Sequence, residues 1–173
     1  MDAAAKPTPQ IHPVEGPEAL AQVRALFEEY WQAFGFTPCF QGFGQEVAGL
    51  PGRYAPPRGR LAMAWVGAEA AGCVALRPLD ERRGEAKRFY VRPAFRGHGL
   101  GVALLNWMIA EARAIGYSEL VADTLPVMRD ALSLYGRLGF ERTDPYAGQD
   151  ADTIVCLRLL LERTGAACSA AIE

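Results

Sequence analysis

Hydrophobic residues recur at helical spacing in three stretches of the chain. In the first stretch, residues three and four positions apart form one apolar stripe: Leu20, Val23, Phe27, Tyr30, Trp31 and Phe34. Pro17 precedes this stripe and Gly35 follows it, as is typical of the start and the end of a helix. The other two stretches lie at residues 99–116 and from about 126 to 139. The pattern therefore predicts three amphipathic helices.

Shorter apolar runs, bounded by glycine, proline and polar residues, predict strands. We expect seven of them, at residues 11–14, 61–66, 71–76, 85–92, 117–122, 140–143 and 153–161. Residues 36–59 are rich in glycine and proline, with at most one or two helical turns around 45–50. No repeat or linker interrupts this order. We therefore expect one mixed α/β domain over residues 1–173, with an ordered core at about 10–161 and a flexible tail at 163–173.

A glycine-rich turn lies between the fourth predicted strand and the second long helix. From residue 91 it reads Val-Arg-Pro-Ala-Phe-Arg-Gly-His-Gly-Leu-Gly. Glycines let the backbone approach a ligand, and the free N–H groups at a helix start favour an anion. Arg96 adds a guanidinium suited to a phosphate. The alternative is that Gly97, Gly99 and Gly101 only form a tight connection between strand and helix.

Two common phosphate-binding loops do not match this turn. The dinucleotide-binding loop requires a third glycine at the position where this chain has Val102. The P-loop requires a lysine, and no lysine follows Lys87 in the chain. The turn is therefore a candidate phosphate site of another kind.

Composition narrows the class of protein further. The 173 residues suit one sizeable core, and the net charge of −2 gives no general attraction to nucleic acid or to an anionic membrane. No apolar run approaches the ~20 residues that a membrane span needs, and the N-terminus lacks the apolar core of a signal peptide. Four scattered cysteines and two histidines give no metal-ligand spacing. We expect a cytoplasmic protein without a metal.

Two segments of the chain fit known motifs in a known order. Arg96, Gly99 and Gly101 match the pattern Arg/Gln-x-x-Gly-x-Gly/Ala, and residues 131–140 match Ala-x-x-x-Tyr-x-x-x-Gly-Phe. With both motifs, the chain resembles the GNAT superfamily of acetyl-CoA-dependent N-acetyltransferases over about residues 10–161. This resemblance implies a mixed α/β fold: a central, mostly antiparallel sheet of six to seven strands, splayed between strands 4 and 5 and flanked by about four helices.

The resemblance also implies where acetyl-CoA binds. Backbone N–H groups of the turn would hold the coenzyme pyrophosphate, from Arg96, Gly97, His98, Gly99, Leu100 and Gly101. The backbone of Val91, at the end of the fourth strand, would provide the oxyanion donor and pair with the pantetheine arm. Met128 stands where many relatives carry asparagine. This departure removes a side chain that in those relatives hydrogen-bonds the coenzyme.

Acyl transfer from a thioester to an amine needs a general acid and a base. By resemblance, Tyr135 is the acid that protonates the departing thiolate; alternatively, its hydroxyl only caps a buried group. Glu85 is the candidate base, acting directly or through a water. The alternative for Glu85 is a strand-edge surface pair with Lys87 or Arg88. Asp123 either reaches the site or caps the following helix.

The acceptor is the least determined part of the prediction. The resemblance implies direct attack of a primary amine on the thioester through a tetrahedral intermediate. A small molecule or a protein would carry this amine, with neither nucleic acid nor membrane as partner, and the resemblance allows a homodimer. Substrate would be held by Glu46, Arg53 and Tyr54 and by the loop at 146–150. The alternative class is a catalytically silent coenzyme-binding or interaction module.

Overall fold

The computed structural model describes residues 8–36 and 42–162. Its strands are β1 (Gln10–Pro13), β2 (Arg60–Val66), β3 (Glu69–Pro78), β4 (Arg83–Val91), β5 (Glu119–Thr124), β6 (Glu141–Arg142) and β7 (Val155–Leu160). Its α-helices are α1 (Gly16–Ala33), α2 (Phe43–Ala48), α3 (Leu100–Ile115) and α4 (Arg129–Arg137). The predicted flexible tail at 163–173 lies outside the described residues.

The strands form one sheet in the order β1-β2-β3-β4-β5-β7-β6. Neighbouring strands are antiparallel except β4 and β5, which are parallel. This pair is short: only residues 83–86 of β4 face residues 119–122 of β5. Beyond Ala86, β4 continues to Val91 without a β5 partner, so the sheet opens between these two strands. The predicted splayed, mostly antiparallel fold is confirmed.

Helices cover both faces of the sheet, which explains why β2 and β3 are apolar on both sides. On one face α3 buries Leu104, Leu105 and Met108 completely. On the other face α1 packs Phe27 and Trp31 against residues of β2, β3 and β4. The apolar stripes that predicted these two helices are the surfaces that they bury.

Most strand boundaries differ from the prediction by one or two residues, and two boundaries around helices have a clear local cause. The strand predicted from Tyr117 begins at Glu119, because Tyr117 still donates its N–H to the Ala112 carbonyl and completes the helix end at Gly116. The helix predicted from about Pro126 begins at Arg129. Residues 125–128 form a turn first, closed by the Met128 N–H on the Leu125 carbonyl.

Candidate active site

The opening between β4 and β5 exposes backbone groups of β4. Arg92 donates its N–H to the Ala71 carbonyl of β3. Because successive residues of a strand direct their backbone groups to opposite sides, the amide of Val91 faces away from β3, into the opening. The Val91 carbonyl accepts a hydrogen bond from Arg96 Nε at 2.9 Å. Val91 therefore offers a backbone donor where strand pairing is absent.

The glycine turn that follows β4 leads into α3. Gly97 and Gly99 have φ of 78° and 80°, a left-handed conformation that favours glycine, and Gly99 is the N-cap of α3. A Cβ atom at either position would meet nothing within 4 Å. The backbone here borders open space at a helix N-terminus, which fits a bound anion.

Gly101 has a different role from the other two glycines. It lies in the first turn of α3, where a Cβ atom would come within 2.9 Å of Leu134 Cδ2 and 3.2 Å of Phe89 Cζ. The missing side chain lets α3 pack closely against α4 and β4. Close packing therefore accounts for Gly101, whereas Gly97 and Gly99 leave space in which a ligand could approach the backbone.

A cavity of about 590 Å³ lies between the turn, the end of β4 and α4. Its charged lining residues are three arginines and one aspartate: Arg96, Arg129, Arg137 and Asp130. Gly97, Gly99, Leu100, Gly101 and Val91 also line it, whereas His98 is exposed and does not. The excess of positive charge suits a ligand that carries several phosphates.

A second, smaller cavity of about 50 Å³ adjoins the first at the β4–β5 opening. The two cavities share the lining residues Tyr30, Phe89, Met128 and Ala131. Tyr135 lines only the smaller one. A ligand that fills the larger cavity therefore ends beside the smaller one.

Tyr135 projects from α4 and is 4% exposed. Its ring packs edge-to-face against Phe140 and Phe89, with centroid distances of 4.9 and 6.0 Å. Burial raises the pKa of Tyr135 well above its ordinary value, so the hydroxyl keeps its proton at neutral pH. A buried, protonated phenol beside the cavity is chemically suited to donate a proton.

Glu85 lies in a buried ionic network rather than on a cavity wall. Its side chain is 2% exposed. One carboxylate oxygen accepts from Arg77 Nε at 2.8 Å, and the other lies 3.3 Å from both Lys87 Nζ and the Tyr146 hydroxyl. The alternative of a strand-edge surface pair is wrong, because β4 lies between β3 and β5. Lys87 is one of its partners, but Arg88 is not.

Asp123 connects this network to the smaller cavity, which it lines together with Lys87. It accepts from Lys87 Nζ at 3.0 Å and from Gln149 Nε2 at 3.3 Å. The alternative of a cap for α4 is wrong, since Met128 occupies the N-cap position and no side chain caps the helix. Among the described residues, no cluster of three His, Cys, Asp or Glu side chains has the arrangement of a metal site.

Arg88 was expected from the sequence only as a possible surface partner of Glu85, but it forms part of the smaller cavity's wall. Its φ of 54° is unusual for a residue other than glycine. The guanidinium binds Glu46 through two nitrogens, at 2.9 and 2.5 Å, and lies 4.7 Å from the centre of the Trp31 ring. Burial alone would lower the pKa of Arg88, but Glu46 more than offsets this and raises it. No local sequence signal marks this pair, which spans 42 positions.

The predicted acceptor loops take part in the same contacts. Tyr54 donates its hydroxyl to Glu46 at 2.6 Å, and Arg53 donates to the Pro78 carbonyl. On the other side, Tyr146 reaches Glu85 and thereby brings the loop at 146–150 against the network. None of these residues lines either cavity. Glu46 reaches the wall of the smaller cavity through Arg88, and Gln149 reaches it through Asp123.

Comparison with known proteins places this chain in a family. The family model "Acetyltransferase (GNAT) family" matches residues 21–140. An uncharacterised N-acetyltransferase of Schizosaccharomyces pombe is 37% identical over 155 residues, covering 88% of this chain and 95% of the relative. The chain therefore belongs to the GNAT acetyltransferase family and is an acyl-CoA-dependent N-acetyltransferase. This result disfavours the catalytically silent module.

Solved structures show the same fold. A GNAT family acetyltransferase from Staphylococcus aureus Mu50 superposes with a TM-score of 0.76 at 15% identity, covering 90% of this chain and all of the other. A GNAT family acetyltransferase from Elizabethkingia anophelis with acetyl-CoA bound gives a TM-score of 0.59 at 23% identity, covering 88% and 98%. In the part of this chain that the structure describes, no helix is both long and apolar enough to span a membrane.

Proposed function

We propose that this enzyme transfers an acetyl group from acetyl-CoA to a primary amine by direct attack on the thioester carbonyl, through a tetrahedral intermediate. One observation carries the proposal: a large cationic cavity meets a small cavity containing Tyr135 at the opening of the sheet. The first suits the phosphates of a coenzyme, and the second provides a protonated phenol beside the end of that coenzyme. Residues 1–173 act as a single domain in this proposal.

The residues of the larger cavity fit acetyl-CoA, which supplies an activated acyl group when bound. Backbone N–H groups from Arg96 through Gly99 to Gly101 hold the pyrophosphate, supported by the open space at Gly97 and Gly99. His98 takes part through its backbone, since its side chain is exposed. The Val91 amide stabilises the oxyanion, and the unpaired edge of β4 pairs with the pantetheine arm. Leu100 contributes through the first amides of α3.

Two side chains move protons in this proposal. Tyr135 protonates the departing thiolate, supported by its burial beside the smaller cavity. Glu85 takes the amine proton through a water rather than directly, because both of its oxygens already accept hydrogen bonds.

Cys73 and Cys156 are buried free thiols, which supports a cytoplasmic setting.

The test is acetyl-CoA-dependent release of CoA in the presence of a panel of primary amines, amino acids, aminoglycosides and lysine peptides. We expect CoA release with at least one acceptor. Mass spectrometry should then detect the corresponding N-acetylated product. Thermal unfolding with and without acetyl-CoA provides the binding control. Coenzyme binding without any acetylated product would contradict the proposed function and favour the silent module.

A further inference from the structure

The smaller cavity carries information about the acceptor, since it is where an amine must meet the acyl group. Its charged lining residues are Lys87, Arg88 and Asp123. Most of its other lining residues are aromatic or aliphatic, including Tyr30, Trp31, Phe36 and Phe89. Selection of the acceptor therefore depends on whether these three charged side chains already have partners, and on the apolar residues around them.

Each of these three charges already has a partner within the protein. Arg88 is bound by Glu46 through two nitrogens. Lys87 lies between Glu85 and Asp123, at 3.3 and 3.0 Å.

Including Arg77, which binds Glu85, the cluster contains three cations and three carboxylates and has no net charge. Within the described ranges, no further charged side chain lines the cavity.

The size of the cavity limits what surrounds the amino group. A volume of about 50 Å³ accommodates only a few heavy atoms, because ~10–15 Å³ of such space holds one water. A second charged group within those atoms would lose its hydration and find every opposite charge already paired. Such burial of an unpartnered charge is unfavourable.

We propose that the acceptor is a primary monoamine whose amino group is followed by an uncharged carbon chain, as in an alkylamine or a lysine side chain. α-Amino acids and polyamines are poor acceptors for the same reason. This inference rests on the proposed acetyl transfer and adds the chemical class of the acceptor.

Three small amines of matched length test the inference. Butylamine, 1,3-diaminopropane and β-alanine differ in the group at the far end, which is uncharged, cationic or anionic. We expect kcat/KM for butylamine to exceed both others by at least about tenfold. Nα-acetyl-lysine amide, run alongside, distinguishes a lysine side chain from a free alkylamine as the source of the amine.

Two variants shift the charge of the cavity wall in opposite directions. Lys87→Met leaves the cluster with an excess carboxylate, and we expect the ratio of kcat/KM for 1,3-diaminopropane over butylamine to rise several-fold. Glu46→Gln leaves an excess cation, and the ratio for β-alanine over butylamine is expected to rise instead. An acetyl-CoA-dependent thermal shift in each variant shows that the coenzyme site is intact.

The outcomes separate this inference from the proposed function. Fastest acetylation of 1,3-diaminopropane or β-alanine by the wild-type enzyme would overturn the monoamine inference and leave acetyl transfer established. No CoA release with any amine would overturn both. If either variant fails to fold, the wild-type comparison of the three amines decides alone.

Discussion

The Arg88–Glu46 pair is predicted to be a main determinant of stability around the site. Glu46→Gln keeps the size and one acceptor oxygen of the side chain but removes its charge. Arg88 is 5% and Glu46 15% exposed, so the guanidinium of the variant stays buried without a counterion. Removing one partner of a buried pair typically costs ~3–5 kcal/mol.

Part of this cost is offset, because the Arg88 guanidinium still lies over the rings of Trp31 and Phe43 at 4.7 and 5.3 Å. We therefore expect Glu46→Gln to lower the free energy of unfolding by roughly 2–4 kcal/mol. For a protein of this size that is a fall in Tm of roughly 5–15 °C. Urea unfolding followed by circular dichroism measures the free energy directly.

The matched control is Glu111→Gln, which removes the partner of Arg60 in a pair whose side chains are 22% and 30% exposed. We expect this change to cost at most ~1 kcal/mol. A double-mutant cycle with Arg88→Met isolates the coupling between Arg88 and Glu46. Equal losses for Glu46→Gln and Glu111→Gln, or a coupling near zero, would refute the reasoning.

The contribution of the Arg88–Glu46 pair to folding stability should also depend on pH, in a direction that follows from the pKa of Glu46. Burial alone would raise the pKa of Glu46, but the hydrogen bonds and charge of Arg88 lower it below its ordinary value of 4.5. A carboxyl with a lowered folded-state pKa contributes stability above its unfolded pKa and loses it as pH falls through the folded value. The difference in stability between wild type and Glu46→Gln should therefore be constant at neutral pH and shrink below about pH 4.5.

Three further changes test the site itself. Gly99→Val puts a branched side chain at a φ of 80° in the glycine turn. It should abolish the ~2.7 kcal/mol of stabilisation expected from acetyl-CoA at 100 times its Kd. An undiminished thermal shift would show that the pyrophosphate binds elsewhere. Tyr135→Phe keeps the ring packing and should lower kcat by ~10²–10⁴ with coenzyme affinity little changed; an unchanged kcat in a chemistry-limited assay would leave Tyr135 with a packing role. Glu85→Gln should lower kcat/KM mainly at acid and neutral pH and recover partly at high pH, where the amine is already free; superimposable pH profiles would exclude the catalytic role.

The sequence predicted the elements of this fold because their causes are local. The apolar stripe of α1 and the glycines around α3 specify those helices without reference to the rest of the chain. The glycine turn was likewise recognisable, since Gly97 and Gly99 adopt backbone angles that other residues disfavour. Boundaries were less accurate where a cap hydrogen bond, such as that of Tyr117, extends a helix end beyond its pattern.

The charged part of the site could not be derived in this way. Glu85 is buried because β4 lies between β3 and β5, and it meets Arg77 because the two residues are opposite each other across β3 and β4. Arg88 meets Glu46 only after α2 packs on the sheet. These contacts depend on strand order and register, which involve residues far apart in the chain. A sequence pattern therefore shows which residue types each element carries, but only the folded structure shows which of these residues are in contact.

The short pairing of β4 with β5 has a consequence for self-association. Past Ala86 the molecule contains a strand edge in the middle of its own sheet, and unpaired edges are templates on which other chains can add a strand. Arg96 covers one of these groups by donating to the Val91 carbonyl. The gap that we propose admits the coenzyme is thus also a potential entry point for aggregation. Saturating the enzyme with coenzyme should therefore protect it from aggregating during storage or overexpression, beyond any gain in folding stability.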